Sequence, residues 1–166
     1  MPRRHAKPGV QPVYRTKPLQ PHLEDSYAAR AKKGQSTVCP DCKAVFQAGR
    51  WQWLPEPPAA HHERCPACRR IHDSLPAGYV KLEGAFFEQH REEVLALVRN
   101  LEQKEKAEHP LQRLMTIAED EGGLLVTTTD SHLARSIGEA LRHAYHGELE
   151  IHYNPDDNLV RVHWKR

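Results

Sequence analysis

Cys39-Pro40-Asp41-Cys42 and Cys65-Pro66-Ala67-Cys68 are the residues whose reading decides the fold. They use all four cysteines of the 166-residue chain as two C-x2-C pairs separated by 22 residues. A C-x2-C turn sets two thiolates on one side of a tight knuckle. Two such knuckles facing each other complete a tetrahedron of sulfur ligands, the donor set that suits Zn2+. One structural zinc held by Cys39, Cys42, Cys65 and Cys68 is therefore expected, with no ligand position left open for catalysis. A thioredoxin-like redox pair requires one C-x-x-C near a βαβ pattern rather than two matched ones, and unbridged core cysteines have no reason to keep this spacing. His61, His62 and His72 flank the second pair, but the quartet is complete without them, so they are expected to be solvated.

Between the pairs, the run Ala44 to Trp53 alternates around Gly49 and predicts a short hairpin. Trp51 and Trp53 are two apart and would share a face of a strand. One is expected to cover the metal site; the other is left open between packing and a stacking platform for unpaired bases. The expected module is a small zinc ribbon over residues 37–72 that depends on metal to fold.

The ribbon is flanked by two stretches of opposite charge. Residues 1–72 carry 13 Lys/Arg and 5 Asp/Glu (13 − 5 = +8), and residues 73–166 carry 11 and 17 (11 − 17 = −6), which together make the net +2. Residues 1–36 are basic, poor in aliphatic side chains and broken by Pro2, Pro8, Pro12, Pro18 and Pro21, so they read as a disordered arm. Within it, Arg3, Arg4, Lys7, Arg15, Lys17, Arg30, Lys32 and Lys33 are candidate nucleic-acid contacts, joined by Arg50, Arg69 and Arg70 on the ribbon.

From residue 78 the pattern becomes regular. Tyr79 to Gly84 predicts a strand, and residues 88–106 a helix with Val94, Leu97, Val98 and Leu101 on one stripe. Pro110 marks the helix exit. Leu111 to Ala118 and Leu124 to Thr129 predict strands joined by an acidic Gly-Gly turn. Asp130 caps a helix from 131 to about 146 with Leu133, Ile137, Leu141 and Ala144 as its stripe. Glu148 to Tyr153 and Leu159 to Trp164 predict a closing hairpin with Leu149, Ile151, Tyr153, Val160, Val162 and Trp164 on one face and Glu150, His152, Arg161 and His163 on the other. The expected fold class is α+β: the ribbon followed, over residues 78–166, by a ferredoxin-like β-α-β-β-α-β-β module, both helices on one face of an antiparallel sheet. Thr127-Thr128-Thr129-Asp130-Ser131 looks chemical but is expected to serve as strand end and helix cap.

Several classes of chemistry lack their signatures. There is no phosphate-binding glycine loop of either common kind, no H-E-x-x-H and no G-x-S-x-G elbow, so an enzyme is not expected. No run of 18 apolar residues predicts a membrane span, and the opening Met1-Pro2-Arg3-Arg4 has no apolar core behind it, so no signal peptide and a cytoplasmic location are expected.

A pair of CPxC knuckles followed by a small α+β module, with the helix start Ser131-His132-Leu133-Ala134-Arg135-Ser136-Ile137, resembles the zinc-ribbon adaptor family that exports the eukaryotic large ribosomal subunit, and in particular its short archaeal or bacterial-type relatives. The likeness covers about residues 38–164. It implies Cys39, Cys42, Cys65 and Cys68 as zinc ligands, places His132 and Ala134 where that family's helix carries its His-Ala signature, and implies docking on ribosomal RNA. One quartet stands here where the longer relatives have two, and later β-rich domains and export signals are not seen, so nuclear export is not implied. The reading that results is a non-catalytic, monomeric, ribosome- or rRNA-associated factor of assembly or stress (hibernation) type, with a protein partner for the acidic module. A zinc-ribbon DNA-binding regulator and a protein-interaction adaptor are the alternatives.

Overall fold

The computed structural model describes residues 35–166. The predicted arm, with Arg3, Arg4, Lys7, Arg15, Lys17, Arg30, Lys32 and Lys33, lies outside the described residues.

Backbone chemistry at a few positions sets the smaller sheet. Its strands are β1 (Thr37–Val38), β2 (Val45–Gln47), β3 (Arg50–Gln52) and β4 (His61–His62), in the order β3-β2-β1-β4. Ala48 and Gly49 both take positive φ, 53° and 81°, as the two central residues of a turn whose twist matches a hairpin. The turn sets the register Gln47↔Arg50 and Phe46↔Trp51, so the two aromatic rings face each other with centroids 5.5 Å apart. This is the predicted hairpin. Trp53, however, lies beyond β3 and does not share its face. Trp51 is buried against the cysteines, whereas Trp53 is 40% exposed and donates its indole N–H to the Lys106 carbonyl at 2.7 Å.

The second cysteine pair sits on a helix start rather than on a second hairpin knuckle. Cys65 is the N-cap of α1 (Pro66–Asp73) and accepts from the Cys68 N–H at 3.4 Å. Pro66 opens the helix because a residue there needs no N–H donor. Ser74, in the left-handed region at φ 54°, closes it.

The larger sheet follows. Its strands are β5 (Gly78–Glu83), β6 (Leu114–Asp120), β7 (Gly123–Thr128), β8 (Glu148–Asn154) and β9 (Leu159–Lys165), with helices α2 (Ala85–Gln89), α3 (Arg91–Glu108) and α4 (Ser131–Tyr145). The helix predicted over 88–106 is thus broken into α2 and α3, at His90, whose φ of −121° leaves the helical region. The predicted helix stripes meet the sheet in one core: Val94 and Val98 from α3 and Leu133, Ile137 and Leu141 from α4 are fully buried with Val80, Leu82, Val126 and Trp164. Ala134 rather than Ala144 completes the α4 stripe; Ala134 is buried and Ala144 exposed. At Gly138 the helix comes so close to the sheet that a Cβ would stand 2.5 Å from Val162 Cγ1 and 2.9 Å from Leu149 Cδ1.

Strand order departs from the ferredoxin-like expectation. It runs β6-β7-β5-β9-β8. The β5-α3-β6 unit with β7 inserted keeps the split βαβ arrangement. The place beside β5 that the fourth strand of that topology would take is filled by β9, and it runs parallel to β5, so the sheet is mixed rather than antiparallel. Side chains account for the exchange. In β9 Val160, Val162 and Trp164 are all buried, and Lys165 reaches Glu83 of β5. In β8 Glu148, Glu150 and His152 are exposed, which suits an edge strand. No helix among the described residues is long and apolar enough to cross a membrane.

Candidate metal centre

Each cysteine is held by a different local device. Cys39 follows β1, donates its N–H to the Ala44 carbonyl at 2.9 Å and accepts from the Lys43 N–H at 2.9 Å, closing the first knuckle around Cys42. Lys43 turns the chain with a φ of 66°. Cys65 and Cys68 occupy the first turn of α1, where unpaired N–H groups and the positive end of the helix dipole favour thiolates. The four Sγ atoms lie within 4.8 Å of one another.

That geometry fits a tetrahedral ion. With metal–sulfur bonds of 2.3 Å, a tetrahedron has sulfur–sulfur edges of about 3.8 Å. Cys42 Sγ and Cys65 Sγ stand 3.7 Å apart, and all four thiols are free of disulfides. Four cysteines can therefore hold one metal ion, and they fill its coordination without a further protein ligand. His61, His62 and His72 are not part of the cluster. They are exposed, and each stands beside a carboxylate: Glu63 at 3.9 Å, Glu56 at 2.8 Å and Asp73 at 2.9 Å respectively.

A fifth residue completes the centre, and nothing in the cysteine spacing points to it. Arg113 is 8% exposed. One terminal nitrogen of its guanidinium donates to Cys68 Sγ at 3.3 Å, and the other donates to Cys42 and Cys65 Sγ, also at 3.3 Å each. Its Nε donates to the Pro110 carbonyl at 2.8 Å, and its backbone N–H donates to Thr129 Oγ1 at 3.0 Å. Arg113 directly precedes β6, so the larger module reaches into the metal centre with a fixed cation. A divalent ion on four thiolates carries a net charge of −2, and a buried charge of that kind requires a partner. Leu111 packs on the same cluster. The strand predicted from Leu111 starts only at Leu114: the Leu111 and Arg113 side chains are turned to the cysteine cluster. A lone Arg among Leu111, Gln112 and Leu114 carries no sequence signal of this role, because the pairing is between residues 45 to 71 positions apart.

The protonation balance agrees with this picture. The hydrogen bond with Cys65 holds the Cys42 thiol down, to about 4, against the effect of burial. The same bond pushes Cys65 up, and burial adds to it. Burial also raises Cys68, with Arg113 opposing. For Arg113, burial works against the charge. The bond to Cys68 and the fields of Cys42, Cys65 and Cys68 more than reverse it, and the guanidinium is held more firmly protonated than usual.

The basic residues predicted on the metal module separate into three kinds. Arg50 is exposed at the start of β3 and makes no ion pair among the described residues. Arg69 is ion-paired with Glu63. Arg70 is only 7% exposed and donates to the Leu75 carbonyl at 3.1 Å, so its cation faces the protein interior and not a nucleic acid. The Thr-rich strand end has the expected structural role: Thr128 Oγ1 donates to the Asp130 carbonyl at 2.7 Å, Thr129 Oγ1 to the Leu111 carbonyl at 2.6 Å, and Asp130 accepts from the Leu133 N–H at 3.1 Å as cap of α4.

Comparison with known proteins adds no relative: no family model, curated protein or solved structure matches the chain.

Proposed function

We propose that this protein is a non-catalytic, zinc-stabilised factor that binds ribosomal RNA. The ion is zinc, held by Cys39, Cys42, Cys65 and Cys68; all four donors are thiolates in tetrahedral reach, and Arg113 offsets their charge. A closed S4 set supplies a rigid cross-link between the hairpin and α1, and it offers no open position for a water or substrate. Function therefore lies in the surfaces that the cross-link holds in place.

The observation that carries the RNA reading is the charge division. Residues 1–72 hold +8 and residues 73–166 hold −6, so the half of the chain that contains the metal centre is the half that attracts a polyanion. Arg50, exposed and without an ion pair among the described residues, continues that basic character onto the folded surface. The resemblance of the cysteine pairs and of the Ser131–Ile137 helix start to the large-subunit export adaptors supports ribosomal RNA as the polyanion, with an assembly or stress role. The acidic module is then turned away from the RNA, toward solvent or a protein.

Sedimentation with ribosomal subunits over a salt series tests the reading. Retention at low salt that falls steeply as salt rises, and that weakens when residues 2–33 are deleted, is expected. Retention on duplex DNA but not on subunits would replace it with a DNA-binding regulator, and binding to neither with a protein-interaction adaptor.

A further inference from the structure

The four sulfurs of the metal centre do not meet solvent equally. Cys39 and Cys65 are fully buried and Cys68 is 8% exposed, whereas Cys42 is only half-buried. Cys42 Sγ stands 3.7 Å from Cys65 Sγ, in contact with it, and the two belong to different knuckles. One guanidinium nitrogen of Arg113 donates to both, at 3.3 Å each. From this arrangement we infer that Cys42 and Cys65 are a peroxide-reactive pair, and that their oxidation to a disulfide ejects the metal ion and releases residues 109–113 from the metal module. The inference rests on the zinc reading of the quartet and is independent of the RNA reading.

Reactive thiolates stand in electropositive surroundings within reach of solvent, and fully buried ones are inert. Cys42 meets both conditions: Arg113 is its neighbour on the inside, and the chain on either side of it, at Asp41 and Lys43, is exposed. Cys65 meets only the first, so it is suited to answer Cys42 rather than to meet the oxidant. It is the N-cap of α1, where free N–H groups and the helix dipole favour a thiolate. The step balances with hydrogen peroxide as the oxidant. The Cys42 thiolate attacks a peroxide oxygen, the O–O bond breaks, and hydroxide leaves, with Cys42 now a sulfenic acid. The Cys65 thiolate then attacks the Cys42 sulfur, and the S–O bond breaks with loss of a second hydroxide. Two electrons pass from the two thiolates to the peroxide, and one S–S bond forms. The disulfide withdraws two of the four donors, and the remaining two do not fill a tetrahedral set. It joins the first knuckle to the start of α1, so the metal module keeps a cross-link. It does not keep the charge that Arg113 faces. Both sulfur acceptors of one guanidinium nitrogen become neutral, and a buried cation that loses its counter-charge is driven toward water.

The test uses the full-length zinc-loaded protein and hydrogen peroxide. Released metal is read by a chromophoric indicator, and disulfides by peptide mass spectrometry after the remaining thiols are blocked. One zinc ion is expected per peroxide consumed, with the first disulfide between Cys42 and Cys65. Release is expected to outpace the oxidation of free cysteine at neutral pH, where only a small part of that thiol is ionised. Hydrogen exchange at residues 109–113 is expected to rise at the same peroxide dose, and a dithiol with added zinc to restore protection. Cys42→His keeps a four-ligand set that zinc accepts but removes the attacking thiolate, and is expected to slow release by about 10-fold or more. A first disulfide within either C-x2-C pair, or release without any disulfide, would overturn the pairing, whether or not the His variant holds metal. Release slower than the oxidation of free cysteine would overturn the reactivity. A Cys42–Cys65 disulfide with residues 109–113 still protected would overturn the uncoupling. Freshly purified protein without stoichiometric zinc removes the zinc reading and this inference with it, whereas zinc-loaded protein that fails these measurements removes only the inference.

Discussion

Arg113→Ala is the substitution that tests the metal centre most severely. The guanidinium makes three donations to sulfur at 3.3 Å and one to the Pro110 carbonyl at 2.8 Å, all in a site where the residue is 8% exposed. Removing one member of a buried charge pair costs about 3–5 kcal/mol, because the partner charge stays behind without water. Part of that loss falls on the metal: removal of a group that supports the ligands typically weakens binding about 10- to 100-fold, or about 1.4–2.7 kcal/mol. The remainder falls on the link between the modules, since residues 109–113 lose their anchor. Zinc affinity, read by competition with a chromophoric chelator, is expected to drop within that range. Thermal unfolding of the zinc-loaded protein is expected to shift down in the signals of both modules. Arg113→Lys keeps a charge but not a planar fork that spans three sulfurs, so it should fall between Ala and wild type. A variant Arg113→Ala with zinc affinity within twofold of wild type and an unchanged melting temperature would refute the argument that this cation offsets the tetrathiolate.

Other outcomes follow from the same structure. Cys39→Ser is expected to abolish stoichiometric metal binding and to expose the backbone of residues 37–73 and 109–113 to hydrogen exchange, while β5, β7 and β9 stay protected; full protection of 109–113 would show that Arg113 and Leu111 are not tied to the metal. Gly138→Ala puts a methyl 2.5 Å from Val162 Cγ1 and should destabilise by about 1–3 kcal/mol in urea titration, although the same change on a free helix face would stabilise. Asp130→Asn should be neutral or stabilising near pH 7, because burial raises the Asp130 carboxyl above its ordinary range and the amide keeps the cap. The sign follows from linkage. A raised folded-state value contributes stability that is present below the unfolded value and lost as pH rises through the folded one, so wild type should gain on the Asn variant as the medium is acidified. A constant difference between the two across the acidic range would contradict this. Trp53→Phe removes the donation to the Lys106 carbonyl and should cost about 0.5–1.5 kcal/mol, seen as earlier fraying of the α3 end.

Much of the site was legible in the chain because its determinants are local. The C-x2-C pairs place two sulfurs each by the geometry of a single turn, the Ala48-Gly49 pair makes its own hairpin, and the 3.6-residue stripes of α3 and α4 state which faces are buried. Asp130 was readable as a cap for the same reason: the Leu133 N–H that it satisfies is three residues away. Where a short-range rule competed with a distant partner, the distant partner prevailed. Leu111 to Arg113 alternates like a strand but is drawn to the cysteines, and Trp53 has the period of Trp51 but leaves the strand to bond α3. Arg70 has the composition of a nucleic-acid contact, yet its helix face is turned inward.

The amino-acid sequence alone therefore determines the cysteine quartet, the Ala48-Gly49 hairpin, the buried stripes of the long helices and the division of charge, since each depends on neighbours within a turn or two or on simple addition of charges. Only the tertiary structure decides that β9 and not β8 lies against β5, that the second cysteine pair caps a helix and that Arg113 closes the metal centre. Those features are choices among packings of the same elements, settled by which strand is flanked by a neighbour on each edge and which buried charge finds a partner, and no spacing along the chain records either.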